Sequence, residues 1–230
     1  MDKMTLTKVT KGLGILGSIF MLAASIIALY YMVLRIPVTT IIPITYTLVV
    51  IVVGLVGSVP ILCAVKQISD TVNDKEIFNN LLMWFICLFI AIFIFFTAIS
   101  VFLSNLEMPP FKSLFDIDKS LFDIFAGQGM RDFGIIFAAL WPIIAGLISV
   151  WIVLIVAASF LKRGYERIAA RTRTEMFGVV GYWYYRGAQL AIIFAGFIII
   201  MIALILQIMA FLFLPESIPS RPTERRPSGA

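Results

Sequence analysis

The chain has 230 residues, of which 61% are hydrophobic and only 13% are charged, and its mean hydropathy is +1.05. Soluble domains are about half apolar and a quarter charged, so this composition excludes a soluble globular protein. It predicts an all-α integral membrane protein, a helical bundle in one domain. The net charge of +5 matters chiefly through its distribution along the chain.

The sequence predicts no reaction chemistry. Histidine is absent, which removes the commonest metal ligand and the usual acid or base near neutral pH. Cys63 and Cys87 lie in separate apolar runs and make no zinc-type pattern, and we interpret both as buried small hydrophobes. We find no paired carboxylates, nucleophile with a nearby base, or phosphate loop. We therefore expect no enzyme, no catalytic residue, no cofactor, no metal site and no nucleic-acid partner.

Five apolar runs are long enough to cross the roughly 30 Å hydrocarbon layer as helices. The first exceeds the roughly 7–15-residue core of a signal peptide, so we interpret it as an uncleaved helix. Pro60 and Pro142 should kink the second and fourth. The predicted spans are residues 13–34, 41–65, 81–103, 133–161 and 190–214, within a membrane domain of residues 1–214.

The longest connection contains a heptad duplication, KSLFDID followed by KSLFDIF from Lys112. At about 100° per residue its charged and apolar side chains fall on opposite sides of a helix. We predict an interfacial amphipathic helix at residues 109–126, outside the cytoplasm. Asp118 falls in the apolar arc, where a charge is costly unless it is paired. Either the helix is broken there, or Asp118 contacts a partner subunit.

A basic segment separates the fourth and fifth spans, whereas residues 66–80 form a short polar loop. Four aromatic residues from Tyr182 precede the last span, as in the aromatic belt of membrane proteins, and GVVG at 178–181 suggests a break before it. The cations either bind anionic lipid or an acidic partner, or only set the topology. The candidate contacts are Lys162, Arg163, Arg167, Arg171 and Arg173.

The orientation follows from the positive-inside rule. With five spans, the side holding the amino terminus carries eleven lysines and arginines against seven on the other side. We therefore expect the amino terminus in the cytoplasm and the carboxyl terminus outside. Residues 215–230 form a polar, proline-rich tail.

Three stretches carry a resemblance to a known family: KGLGILGSI in the first span, VKQISDTVNDKEIFNN after the second, and AARTRTEMFGVVGYWYYRGAQLAIIFAGFIIIMIALILQIMAFLFLP. The chain resembles an archaeal family of multi-pass membrane proteins catalogued as a domain of unknown function. The resemblance covers most of the chain but not the duplicated amphipathic helix. It implies an archaeal cell membrane, and it brings no catalytic residue.

These observations leave three functional hypotheses. The first is a non-catalytic accessory, scaffold or assembly subunit, bound to the lipid bilayer and to other membrane subunits or to itself. The second is a transporter or channel for a small or lipidic solute, with Pro60, Pro142 and Gln207 near its path. The third is an intramembrane enzyme, which would need a cofactor supplied by another chain.

Overall fold

The computed structural model describes residues 4–5, 8–34, 42–105, 133–193, 195–215 and 217–218. These form six α-helices, a short 3₁₀ turn and two two-residue strands. In chain order the elements are β1 Met4–Thr5, α1 Lys8–Leu34, α2 Ile42–Val72, α3 Lys75–Asn105, α4 Phe133–Thr172, α5 Met176–Leu190, the turn Ala191–Ile193, α6 Ala195–Leu212 and β2 Ser217–Ile218.

The predicted fold class, an all-α membrane bundle, is confirmed. Five of the described helices (α1, α2, α3, α4 and α6) are long and apolar enough to cross a membrane. The predicted interfacial helix at 109–126, and Asp118 with it, lies outside the described residues. The described chain also contains α5, a helix of 15 residues, whose part in the bundle the sequence did not reveal.

The helices form a ring of alternating direction. Each described helix packs against the next one in the chain, and α6 packs back against α1. Two contacts show that the start of α1 lies beside the ends of α2 and α6, so that α1 is antiparallel to both. Thr10 on α1 hydrogen-bonds Gln67 on α2, and Gly14 on α1 faces the ring of Phe211 on α6. One end of the ring therefore collects the start of α1, the α2–α3 and α4–α5 turns, and the end of α6. We call it the charged end, and the opposite end the far end.

The chain ends correct our predicted topology. β1 and β2 pair antiparallel, with Met4 opposite Ile218, so the amino-terminal strand and the strand after α6 lie together at the charged end. Six helices in alternation bring the chain back to the end where it started. The structure therefore does not support the expectation that the two termini lie on opposite sides of the membrane.

The cause is the α5–α6 hairpin. α5 runs away from the charged end, the chain turns at Ala191–Ile193, and α6 returns. Two glycines allow the two backbones to approach: a Cβ on Gly187 would lie 3.1 Å from the carbonyl oxygen of Gly196. No polar residue marks the turn, because residues 190–196 read LAIIFAG. Hydropathy therefore merges the turn with α6 into one apparent span.

The core is concentrated at the charged end, and its burial pattern recurs. In α2, α4 and α6, the helices that run toward this end, six positions of the same spacing are buried. Small residues at the first and fourth of them let the helices pack closely. The sets are Gly57, Ser58, Ile61, Ala64, Val65 and Ile68; Ala157, Ala158, Leu161, Gly164, Tyr165 and Ile168; and Ala203, Leu204, Gln207, Ala210, Phe211 and Leu214.

Candidate functional site: the charged end of the bundle

The two turns at the charged end have the same backbone. After α2, Asn73 adopts the left-handed conformation at φ 51°, and after α4, Arg173 does so at φ 58°. The next residue is buried in each turn, Asp74 in one and Thr174 in the other. Its carbonyl accepts a hydrogen bond from the amide three residues later, which starts the following helix. Residues 66–72 and 75–80, expected as a loop, are therefore helical.

An ionic clamp joins these two turns. Asp74 is 7% exposed; its Oδ2 accepts hydrogen bonds from the Nε and Nη2 atoms of Arg171, at 2.9 and 2.8 Å. Arg167 lies 3.5 Å from the other carboxylate oxygen of Asp74 and also pairs with Glu76. Ser69 fixes the turn by donating to the Asp74 carbonyl. Both Arg171 nitrogens contact the same oxygen, Asp74 Oδ2, and such charge-assisted contacts are stronger than hydrogen bonds between neutral groups.

The clamp divides the five predicted contact cations. Arg167 and Arg171 are held by Asp74 and Glu76, so their charges are used within the protein. Arg163 and Arg173 are exposed, and neither forms an ion pair with a described residue. Lys162 lies 3.6 Å from Glu166 on its own helix. Lys162, Arg163 and Arg173 therefore take no part in the clamp, although the Arg167 side chain in the clamp is itself 41% exposed.

A buried chain of hydrogen bonds crosses the ring interior below the clamp. Tyr184 on α5 donates to the Gln207 side chain at 2.7 Å, and Gln207 donates to Ser18 on α1 at 2.8 Å. Ser18 in turn donates to the Gly14 carbonyl. Gln207 is 1% exposed, as expected for a polar side chain that bonds across helices. The chain ties α1, α5 and α6 together.

Pro60, Pro142 and Gln207, the residues suggested for a transport path, do not line a common cavity. Gln207 lies in the buried chain, and Pro142 on α4 lines a shallow apolar pocket against α3. A larger cavity of about 340 Å³ lies between α1, α2 and α6 toward the far end, lined by residues such as Met21, Gly54 and Ile200. Neither cavity is lined by Pro60 or Gln207. The larger one is almost wholly apolar and suits a hydrocarbon chain.

The described part of the chain has no group of three or more histidine, cysteine or acidic side chains able to hold a metal ion. Cys87 is buried as expected, whereas Cys63 is exposed on α2, which corrects our expectation for that residue. Sequence reasoning missed Asp74 and Glu76, since their partners lie nearly a hundred residues away. The one available signal was the spacing of two polar helix ends, 73–74 and 173–174.

The family model described as "Protein of unknown function (DUF996)" matches residues 53–205, which include both turns of the charged end and the clamp. The chain belongs to this family. A protein from the archaeon Methanocaldococcus jannaschii, "Uncharacterized protein MJ1644", is 28% identical to this chain over 167 residues. The alignment covers 73% of this chain and 82% of the relative. No solved structure matches.

The comparisons confirm the resemblance drawn from the sequence. The match begins in α2 and ends within α6, so it spans the two hairpins whose turns meet at the charged end. Together with the five apolar helices, the comparisons identify a multi-pass membrane protein with an archaeal homologue.

Proposed function

We propose that this protein is a non-catalytic accessory, scaffold or assembly subunit of a membrane complex, and that its charged end is the docking platform for the partner. The observation that carries the proposal is the ionic clamp. It fixes two helix turns in one orientation and leaves Arg163 and Arg173 on the outer surface. A rigid surface loses little conformational entropy when a partner binds.

We further propose that the charged end faces the cytoplasm. Once both termini are assigned to it, 13 of the 18 lysines and arginines belong to this end and to the tail that starts from it, and Arg186 lies within α5. Four belong to the far-end connections: Arg35, Lys112, Lys119 and Arg131. The positive-inside bias is thus stronger than with five spans, where it was eleven against seven. This distribution supports both termini in the cytoplasm.

The proposal is tested by native mass spectrometry of the protein gently extracted from its source membrane, combined with site-specific photo-crosslinking. A benzoyl-phenylalanine at Arg173 probes the platform, and one at Ile192, exposed at the far end, is the matched control. We expect a stoichiometric set of other chains, and crosslinks to one of them from position 173 only. A lone monomer or homo-oligomer without a position-specific crosslink would contradict the proposal.

A second candidate is transport or binding of a lipidic solute, favoured by the apolar cavity of about 340 Å³ between α1, α2 and α6. A Cβ on Gly54 would meet no atom within 4 Å, so Gly54→Leu should fill the cavity without disturbing the packing. The measurement is flux of a lipidic solute into vesicles that contain the protein. Flux that is blocked by Gly54→Leu and unchanged by Gly54→Ala would favour the second candidate over the first.

A further inference from the structure

Arg186 is a cation on the outer surface of α5, inside an apolar setting. The buried face of α5 includes Phe177, Tyr184 and Ala188, whereas Tyr182, Arg186 and Leu190 are exposed on the opposite face. α5 packs along α6, a candidate membrane span. The outer face of α5 therefore looks toward lipid, and Arg186 is only four residues from an apolar turn.

The height of Arg186 follows from contacts with α4. A Cβ on Gly181 would lie 3.1 Å from the Lys162 Cα, so Gly181 and Lys162 lie at the same distance from the charged end. Farther from that end, Trp151 Nε1 on α4 donates to the Ala188 carbonyl on α5 at 3.1 Å. The Cα of Arg186 is thus about 7 Å farther from the charged end than Lys162, at 1.5 Å per residue. Its side chain turns back toward the charged end, because its Nε donates to Tyr182 OH at 3.1 Å. Long cationic side chains reach the headgroup layer in this way.

The contacts of the Arg186 guanidinium are neutral. They are the Tyr182 hydroxyl and ring, with Cζ 5.3 Å from the ring centroid, and the Gln189 amide oxygen at 3.3 Å. No described acidic side chain lies within ion-pair distance. On the neighbouring helix α4, the Lys162 ammonium lies 5.3 Å from the centroid of the ring of Tyr185, the residue that precedes Arg186. An arginine stays protonated, and a cation facing lipid is costly unless an anion pairs with it.

We infer that Lys162, Arg186 and the hydroxyls of Tyr182 and Tyr185 form a binding site for the phosphodiester headgroup of an anionic phospholipid. Arginine matches phosphate geometry with two parallel donors. Tyr182 accepts from Arg186 Nε, so its own hydroxyl proton is available for a phosphate oxygen. The lipid tails then run along the exposed apolar side chains of α5 and α4, including Leu190 and Ile152. This inference does not depend on the proposed docking function.

One acidic group competes for the site. Glu166 lies 3.6 Å from the Lys162 ammonium and is itself half exposed. Removing its charge should free Lys162 for the headgroup. Neutral variants of the cations should weaken lipid binding, and a neutral variant of Glu166 should strengthen it. These opposite directions separate a specific site from a general loss of folding.

The experiment is lipid titration of the full-length protein in nanodiscs, with retained lipid counted by native mass spectrometry. Phosphatidylglycerol is compared with phosphatidylcholine, and inorganic phosphate is the arm that tests for a free anion. Each cation that contacts the bound headgroup contributes about fivefold in affinity. We therefore expect a loss of about fivefold for Lys162→Gln or Arg186→Gln and about 25-fold for both. The controls Lys66→Gln and Lys75→Gln, at exposed lysines on α2 and α3, should change the affinity less than twofold.

Several outcomes would overturn the inference. One is phosphatidylglycerol affinity unchanged in the double variant while its melting temperature stays that of the parent. Another is equal retention of the two lipids, and a third is equal competition by inorganic phosphate. Loss of a co-purifying acidic protein without any loss of lipid would assign the cations to a protein partner instead. An increase of affinity in Glu166→Gln is the result that only the lipid site predicts.

Discussion

The two hairpins α2–α3 and α4–α5 share one geometry and carry opposite chemistry. Residues 61–88 and 161–188 show nearly the same burial pattern at an offset of 100 residues, and both turns use a left-handed residue. Only Ile68 and Ile168 are identical between them. The first turn presents Asp74 and Glu76, whereas the helix entering the second presents Arg167 and Arg171. The spacing of small and large apolar residues sets the hairpin, and the charges lock one turn to the other.

The third return helix shows where the recurring pattern is broken. Ile61 on α2 and Leu161 on α4 occupy the position that Gln207 fills on α6. There is no third covalent turn, because the chain ends lie between α6 and α1 and pair as β1 and β2. The hydrogen bonds from Gln207 to Ser18 and Tyr184 connect the helices on both sides of this gap. The buried hydrogen bonds of Gln207 thus lie at the contact between α6 and α1, which no turn of the chain joins.

The largest expected effect comes from a close backbone contact between α1 and α2. A Cβ on Gly17 would lie 2.5 Å from the Gly57 carbonyl oxygen and 2.7 Å from Ile61. Gly17→Ala must therefore push α1 and α2 apart, and we expect it to cost about 2–3 kcal/mol. The control is Gly54→Ala, which meets open space. Thermal unfolding in detergent that gives both variants the same melting temperature would show that α1 and α2 do not pack this way.

The clamp between the hairpins comes next. Asp74→Asn keeps the shape of the side chain but removes its charge from a nearly buried pair, and we expect a loss of about 1–3 kcal/mol. Arg171→Met should cost about as much, and the double variant little more than either, because the partners act as a pair. Arg173→Met is the matched control and should be near neutral. Additive losses in thermal unfolding would contradict a direct Asp74–Arg171 pair.

The smallest of these effects tests the exception on α6. Gln207→Leu restores the apolar residue found at Ile61 and Leu161 but leaves the Tyr184 hydroxyl without its acceptor and Ser18 with only its bond to the Gly14 carbonyl. We expect a destabilisation of about 1 kcal/mol, as for other interhelical hydrogen bonds in membranes. Adding Tyr184→Phe should recover part of the lost stability, because it removes the tyrosine hydroxyl that Gln207→Leu leaves without an acceptor. A stabilising Gln207→Leu would mean that the polar chain does not support the fold.

Sequence reasoning found the apolar helices because hydropathy reports contact with lipid. The predicted 13–34 corresponds to Lys8–Leu34 and the predicted 41–65 to Ile42–Val72. It missed the helix ends beyond the lipid, such as residues 66–72, because a polar helix on a protein surface looks like a loop. The break expected at GVVG is continuous helix, since Gly181 packs closely on Lys162.

The topology could not be read from the apolar runs. The turn Ala191–Ile193 contains no polar side chain, so α6 and the turn before it appear as one apolar run, and α5 is not recognised as a separate helix of the bundle. The clamp was equally hidden, because pairing across some 97 residues depends on the tertiary packing of two hairpins. The neutral partners of Arg186 also emerge only from the structure.

The most direct test of the account is the side of the membrane that each end of the chain occupies. In a background with Cys63→Ala and Cys87→Ala, single cysteines replace Lys75 in the α2–α3 turn region, Ser228 in the tail and Ser113 in the α3–α4 connection. Each is labelled with a membrane-impermeant maleimide in vesicles of known orientation. We predict that positions 75 and 228 react from the cytoplasmic side and position 113 from the other. Labelling of position 228 together with 113 would contradict the α5–α6 hairpin and restore five crossings.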